Sequence, residues 1–325
     1  MLRVRVEQAN GRTAVRTIRW RSAVAAGLAV LVAGCGSSNP LGGGEVSGDL
    51  KSIVVGSSDF PESNIIAEIY AQTLEANGFD VGRRFNIGAR EVYIPAVRDH
   101  SIDLMPEYTG NLLQYFDKKT TATTPDDVAL SLLRVLPGDL AILNPSKAND
   151  TDTVTVTRQT AEKWNLKTIA DLAAHSAEVK FGASSEFLNR TEGLPGLKAK
   201  YNLDISPGNF VAINDGGGPA TVAALVKGDV TAADIYSTSQ FIPQNDLVVL
   251  EDPKNNFLAA NSVPLVSSQK NSEKLKNVLD AVSAKLTTED LIKLNTAVSG
   301  NSGVDADEAA RKWVQDNGFD KPLGG

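Results

Sequence analysis

A short pattern occurs twice in this chain, and that recurrence constrains the fold more than any other feature. Ser57-Ser58-Asp59-Phe60 returns as Ser184-Ser185-Glu186-Phe187, roughly 127 residues further on. Each copy follows a strand-like stretch, Ile53-Val54-Val55-Gly56 in the first and Val179-Lys180-Phe181-Gly182 in the second. A second match follows in the same order and at nearly the same offset. Pro95 to Thr109 reads helix, turn, strand and then Pro106-Glu107-Tyr108-Thr109; Ala220 to Ser237 reads helix, Gly228 turn, strand and then Asp234-Ile235-Tyr236-Ser237. The expectation is two similar α/β lobes. In open α/β sheets ligands sit beyond the carboxyl ends of the strands. If the lobes face each other, both matched segments line one cleft. Phe60, Tyr108, Phe187 and Tyr236 are then a candidate aromatic cluster, two rings from each lobe. Core packing is an equal alternative for the two phenylalanines. The polar Pro, Asp, Thr and Ser neighbours of the two tyrosines favour the cleft.

The chain of 325 residues is long enough for two such bodies. Its 42% hydrophobic and 22% charged residues are those of a globular protein. The net charge of −7 argues against non-specific nucleic-acid binding, which needs a basic face. One cysteine excludes an internal disulfide, and His100, His175 and Cys35 are too few and too scattered for a zinc cluster. Neither a metal nor any other cofactor is expected.

Arg3, Arg5, Arg12, Arg16, Arg19 and Arg21 precede an apolar run from Ala23 to Gly34, which reads as an export signal too short to span a bilayer. Val32-Ala33-Gly34-Cys35 resembles a bacterial lipobox, which implies cleavage before Cys35 and acylation there. Residues 1–34 are therefore expected to be a lipoprotein signal peptide. Residues 35–50, rich in Gly and Ser, are a flexible tether. The resulting localisation is extracytoplasmic, on the cell membrane through a lipid such as palmitate.

The folded body begins near Lys51. The apolar positions Ile65, Ile66, Ile69, Tyr70 and Leu74 predict a helix from about Glu62 to Asn77, capped by Asp59 or Ser63 and stopped by Gly78. The stripe Leu275, Val278, Leu279, Val282 and Leu286 predicts another near the end, and Asp305 starts a last one. Gly216-Gly217-Gly218-Pro219 lacks the residues of a P-loop and the spacing of a dinucleotide site. It reads as a turn that lets the backbone approach a ligand or the other lobe.

Gly56-Ser57-Ser58-Asp59-Phe60, Ile102-Asp103-Leu104-Met105-Pro106-Glu107-Tyr108-Thr109-Gly110, Thr168-Ile169-Ala170-Asp171-Leu172, Leu194-Pro195-Gly196-Leu197 and Ala233-Asp234-Ile235-Tyr236-Ser237-Thr238 resemble the osmoprotectant substrate-binding proteins of ABC transporters. These bind glycine betaine, choline, carnitine and related quaternary amines. The resemblance spans about Ser52 to Phe319. It implies a type II periplasmic-binding-protein fold: two lobes, two crossover segments near Asn144–Asp152 and Val249–Pro253, and a central cleft. Lobe 1 would comprise residues 51–147 and 252–325, and lobe 2 residues 148–251. The implied partners are a quaternary ammonium solute and a transporter permease.

The aromatic positions suit that ligand class through cation–π attraction. Glu107 and Asp234 beside the tyrosines would add negative potential, or serve as solvated or capping carboxylates. Arg190 would pair with a ligand carboxylate, or form a surface salt bridge. Ser57, Ser58, Asp59 and Thr109 complete the candidate site. The chain departs from the family in lacking the usual Lys, Thr and Gln of the opening motif, and in having Glu192-Gly193 and Thr238-Ser239-Gln240 where Asp-Gly and Thr-Asp-Gly are usual. An aromatic or polyol solute is the alternative within the same transport role. The sequence offers no Ser/His/Asp or Cys/His set, so an enzyme is not expected, and an adhesive lipoprotein is the remaining minor reading.

Overall fold

The computed structural model describes residues 50–299 and 303–324; the segments expected to be a signal peptide and a tether, with Cys35, lie outside them. Strands β1 (Ser52–Gly56), β2 (Asp80–Arg84), β3 (Leu104–Tyr108) and β4 (Leu140–Ile142) come first, then β5 (Val154–Thr157), β6 (Phe181–Ala183), β7 (Phe210–Ala212), β8 (Ala232–Asp234) and β9 (Leu247–Val249), and last β10 (Ser262–Ser267). They form two five-stranded sheets, in the orders β2-β1-β3-β10-β4 and β7-β6-β8-β5-β9. In each sheet three strands are parallel and an antiparallel pair closes one side. The repeat in the sequence is therefore a repeat in topology. β6 occupies the place of β1, and β8 that of β3.

The antiparallel member beside β3 is β10, and its counterpart beside β8 is β5. Each of these two strands adjoins a segment that passes between the lobes. Those segments run side by side. The Asp150 amide donates to the Ala260 carbonyl at 3.0 Å and the Ser262 amide to the Ala148 carbonyl at 2.9 Å. Asn149 and Asn261 form an antiparallel bridge. Phe257 packs into the core of the second lobe while its neighbour Leu258 packs into that of the first.

The helix Pro61–Ala76 explains much of the first lobe's core. Ile65, Ile66, Ile69, Tyr70 and Leu74 are buried against Leu275, Val278, Leu279 and Val282 of the helix Glu273–Lys285 and Trp313 of the helix Ala306–Asp316. The C-terminal helices thus pack their apolar stripes on the first lobe. The start of the helix differs from expectation. Phe60 occupies the N-cap position and no side chain caps it. Pro61 replaces the cap, because its missing N–H removes one orphan donor and its fixed φ suits the first turn. Ser63 instead accepts a hydrogen bond from the Ser58 amide at 2.9 Å, and so shapes the loop before the helix.

Thr109 and Gly110 begin the helix Thr109–Phe116 directly under the returning crossover. The Thr109 hydroxyl donates to the Ala259 carbonyl at 3.2 Å and accepts from the Asn261 amide at 3.1 Å. A Cβ on Gly110 would lie 2.8 Å from the Ala259 carbonyl oxygen and 3.0 Å from that of Leu258. Both obstacles are backbone, so Gly110→Ala should force the crossover away from the helix. The expected loss is about 1–3 kcal/mol, as for overpacking elsewhere, read as a lower midpoint in urea unfolding.

Candidate functional site

The cleft lies where the parallel strands of the two sheets end. β1 leads through residues 57–60 to the helix Pro61–Ala76, β3 leads directly into the helix Thr109–Phe116, and β6 and β8 open into the loops carrying Glu186 and Tyr236. Phe60 and Tyr108 each stand at the N-cap of a helix. Phe60 sits between the tyrosines, with ring centroids 6.4 Å from Tyr108 and 5.5 Å from Tyr236, the latter edge-on. Phe60 and Tyr108 belong to the first sheet's loops and Tyr236 to the second's, so this contact spans the lobes.

Of the residues expected from sequence, Ser58, Asp59, Phe60, Tyr108, Arg190 and Tyr236 line this cavity. Five do not. Phe187 is only 2% exposed and stacks on Phe181 at 5.4 Å, inside the second lobe's core. The aromatic set is thus three rings, not four. The short 3-10 turn Ser185–Leu188 that follows β6 turns Phe187 inward, whereas Phe60 precedes a long helix and stays half-buried at the cleft. Ser57 is buried in the loop, where its hydroxyl bonds the Asn64 side chain and accepts from the Asn86 amide. Thr109 serves the crossover. Glu107 is fully buried on the other side of β3, paired with Arg90 at 2.7 and 3.0 Å and accepting from the Tyr93 hydroxyl and the Tyr108 amide. Its charge is therefore already balanced. Asp234 lies behind the cleft wall.

The structure adds residues that the sequence did not reveal. Asp150 and Asp152, on the outgoing crossover, line the cleft with Asn111, Glu186 and Asn214. Asn111 donates to Asp152 at 2.6 Å. Asp150 accepts from the Thr238 amide at 3.0 Å. Glu62 is buried behind Tyr108. It accepts from the Tyr108 hydroxyl at 2.5 Å, the Thr238 hydroxyl at 2.6 Å and the Asn295 amide at 2.6 Å. The one available signal was position: a polar Asp-Thr-Asp run in a segment expected to cross between lobes. The glycine turn behaves as expected. Gly216 has φ +62°, and a Cβ there would come within 2.8 Å of the Phe60 Cβ. Only glycine permits both that backbone and that approach between lobes.

Burial raises the Asp150 and Asp234 carboxyls well above the usual carboxylate range. Glu62 adds to the effect at Asp150, and Asp152 at Asp234. The Asp234 Oδ1 atom accepts from no protein N–H or hydroxyl group. Because these folded values are raised, the folded protein holds these protons at pH values where the unfolded chain has released them. Their contribution to stability is complete below about pH 3.9, the unfolded aspartate value, and is lost as pH rises through the folded values. Asp234→Asn removes the free energy that the unfolded chain gains by releasing a proton the folded protein holds. It should therefore raise the melting temperature of the ligand-free protein at pH 7, with a gain that shrinks as the pH falls toward 4. A pH series of thermal melts checks this; a gain that grows on acidification contradicts it.

The whole arrangement has relatives of known structure. A crystal structure of a glycine betaine/carnitine/choline ABC transporter protein aligns with a TM-score of 0.64 at 22% identity, covering 83% of this chain and 100% of that one. Apo YehZ from Escherichia coli aligns at 0.56 with 26% identity, covering 82% of this chain and 99% of that one. By sequence, the glycine betaine-binding protein YehZ of Escherichia coli is 28% identical over 62% of this chain and 69% of its own. The ergothioneine transport permease/ergothioneine binding protein EgtU of Helicobacter pylori is 27% identical over 64% of this chain and 37% of its own. The fold is that of the two-lobed periplasmic binding proteins. Residues 51–316 match the OpuAC family. The chain belongs to that family, the substrate-binding domains of ABC-type glycine betaine transport systems.

Proposed function

We propose that the cleft captures a quaternary ammonium solute of the glycine betaine, choline and carnitine class and delivers it to an ABC transporter permease, without chemical turnover. The observation that carries this reading is the juxtaposition of Phe60, Tyr108 and Tyr236 with the carboxyls of Asp150 and Asp152 along one cavity. A quaternary ammonium has no N–H to donate. Its methyl groups are apolar yet share a positive charge, and aromatic faces satisfy both properties at about 0.5–2 kcal/mol each. Three rings and a nearby negative charge are enough for micromolar affinity, about −8 kcal/mol.

We further propose an extracytoplasmic location with acylation at Cys35. The order of export signal, lone cysteine and Gly/Ser tether supports it. Among the described residues no helix is long and apolar enough to cross a membrane.

A thermal-shift panel of glycine betaine, choline, carnitine, ergothioneine, sugars and amino acids tests the ligand class. A binder at 100 times its Kd adds about 2.7 kcal/mol of apparent stability. Tyr236→Ala and Phe60→Ala should each weaken the best binder by about 2 kcal/mol, a thirtyfold-scale loss. Both rings are half-buried, so the ligand-free melting temperature should hardly move. Tyr108→Phe should behave differently, because it takes one of three donors from buried Glu62 and costs about 1–3 kcal/mol of stability. Unchanged affinity in the Phe60 and Tyr236 variants would sink the aromatic-cage reading. Separately, Cys35→Ala should abolish labelling by a radioactive fatty acid in cells while leaving solute affinity unchanged; persistent labelling refutes the anchor.

A further inference from the structure

Resting on the reading of this cleft as a quaternary ammonium site, we infer that it selects a cation that carries no carboxylate of its own over the zwitterion with the same headgroup. The argument starts from which charges in the cleft already have partners. Two arginines line it, Arg90 and Arg190. Arg90 commits Nε and Nη2 to the two oxygens of Glu107. Arg190 commits the same two nitrogens to the two oxygens of Glu91, at 3.1 and 3.0 Å, across the gap between lobes. Each guanidinium thus presents its bidentate fork to a protein carboxylate, the geometry a ligand carboxylate would need. Among the described residues no other cation lines the cavity.

The carboxyl groups are in the opposite condition. Asp150 accepts from the Thr238 amide and the Ser237 hydroxyl. Asp152 accepts from the Asn111 amide. Glu62, behind the rings, accepts from Tyr108, Thr238 and Asn295. All of these donors are neutral. Asp234 is only 6% exposed, its Oδ1 accepts from no protein N–H or hydroxyl group, and the Asp152 carboxyl acts on it as a further acidic neighbour. Buried carboxylates normally have a cationic partner. Here the chain brings four together and turns the forks of its two nearby arginines to Glu107 and Glu91. In the ligand-free cleft Asp150 and Asp234 hold protons instead, and a cationic ligand would take the place of that protonation. A ligand carboxylate would meet like charge in this cavity, or would have to break the Glu91–Arg190 pair that joins the lobes. A ligand hydroxyl would instead donate to Asp150 or Asp152.

Choline and glycine betaine share the trimethylammonium group and differ at the other end, so they isolate the effect. In calorimetric titrations of the purified protein at neutral pH, choline should bind at least about tenfold more tightly. Glu91→Gln frees Arg190 and should narrow that ratio by strengthening glycine betaine. Asp152→Asn should narrow it by weakening choline. Melting temperatures confirm that the variants fold; Glu91 is 43% exposed and tolerates exchange. Glycine betaine binding as tightly as choline or better overturns the selectivity and leaves the quaternary ammonium reading standing. A ratio unmoved by both substitutions overturns its assignment to these charges. Binding of neither compound, nor of tetramethylammonium, overturns both readings.

Discussion

The carboxyl group of Glu62 is the point on which the arrangement of the cleft depends. It sits in the first turn of the helix that follows β1, where the helix dipole favours negative charge. Its three hydrogen bonds come from three separate parts of the molecule: Tyr108 at the end of β3, Thr238 in the second lobe, and Asn295 in the helix Thr288–Val298. One buried group therefore fixes an aromatic ring of the cleft, the position of the opposing lobe and a C-terminal helix. Removing any one donor leaves the others to satisfy a buried carboxyl, which is why such networks tend to act as units. Asn295 also contacts Thr238 directly at 3.2 Å, which closes a small ring of bonds between the lobes.

Around that centre the molecule joins its halves by a few polar contacts rather than by a continuous apolar core. The second lobe packs its own core around Phe181, Phe187 and Leu197, and the first packs around the helix Pro61–Ala76. What passes between them is hydrogen-bonded and charged: Glu62 with Thr238, Asn111 with Asp152, and Glu91 with Arg190. Polar interfaces of this kind permit relative movement of domains more readily than large apolar ones. The contact of Phe60 with Tyr236 and the close approach of Gly216 are the apolar exceptions, and both lie at the cleft.

The two arginines show how a similar residue type can be given different work by its surroundings. Arg90 and Glu107 form a buried pair with Tyr93, and this pair braces the wall of the first lobe from inside. Arg190 and Glu91 form a partly exposed pair whose members belong to different lobes. Both pairs remove positive charge from the cavity, while the aspartates of the outgoing crossover bring negative charge into it. The electrostatic character of the cleft thus comes from how the chain crosses between lobes as much as from the loops that carry the aromatic rings.

What the sequence determined by itself was everything set by local pattern. The strand, turn and helix around Ser57-Ser58-Asp59-Phe60 and around Tyr108 follow from residues within a dozen positions of each other. Their recurrence was enough to predict two lobes and to bring Phe60, Tyr108 and Tyr236 to one cleft. The glycine turn at Gly216 was legible because glycine has few other reasons to occur three times in succession. The tertiary structure decided which way each ring faced and which charge met which. Phe187 occupies the same place in the pattern as Phe60, yet a 3-10 turn in place of a long helix sends it into the core. Glu107 sits beside Tyr108 in sequence, but alternation along β3 points neighbouring side chains to opposite faces, and Asp234 is buried at the end of β8 while Tyr236 lies in the loop beyond it. The partners of Glu62, Asp150, Asp152 and Arg190 lie far away in the chain, on elements that meet only when both sheets are folded and docked. No periodicity records such pairings, because they depend on distances in space rather than on spacing in sequence.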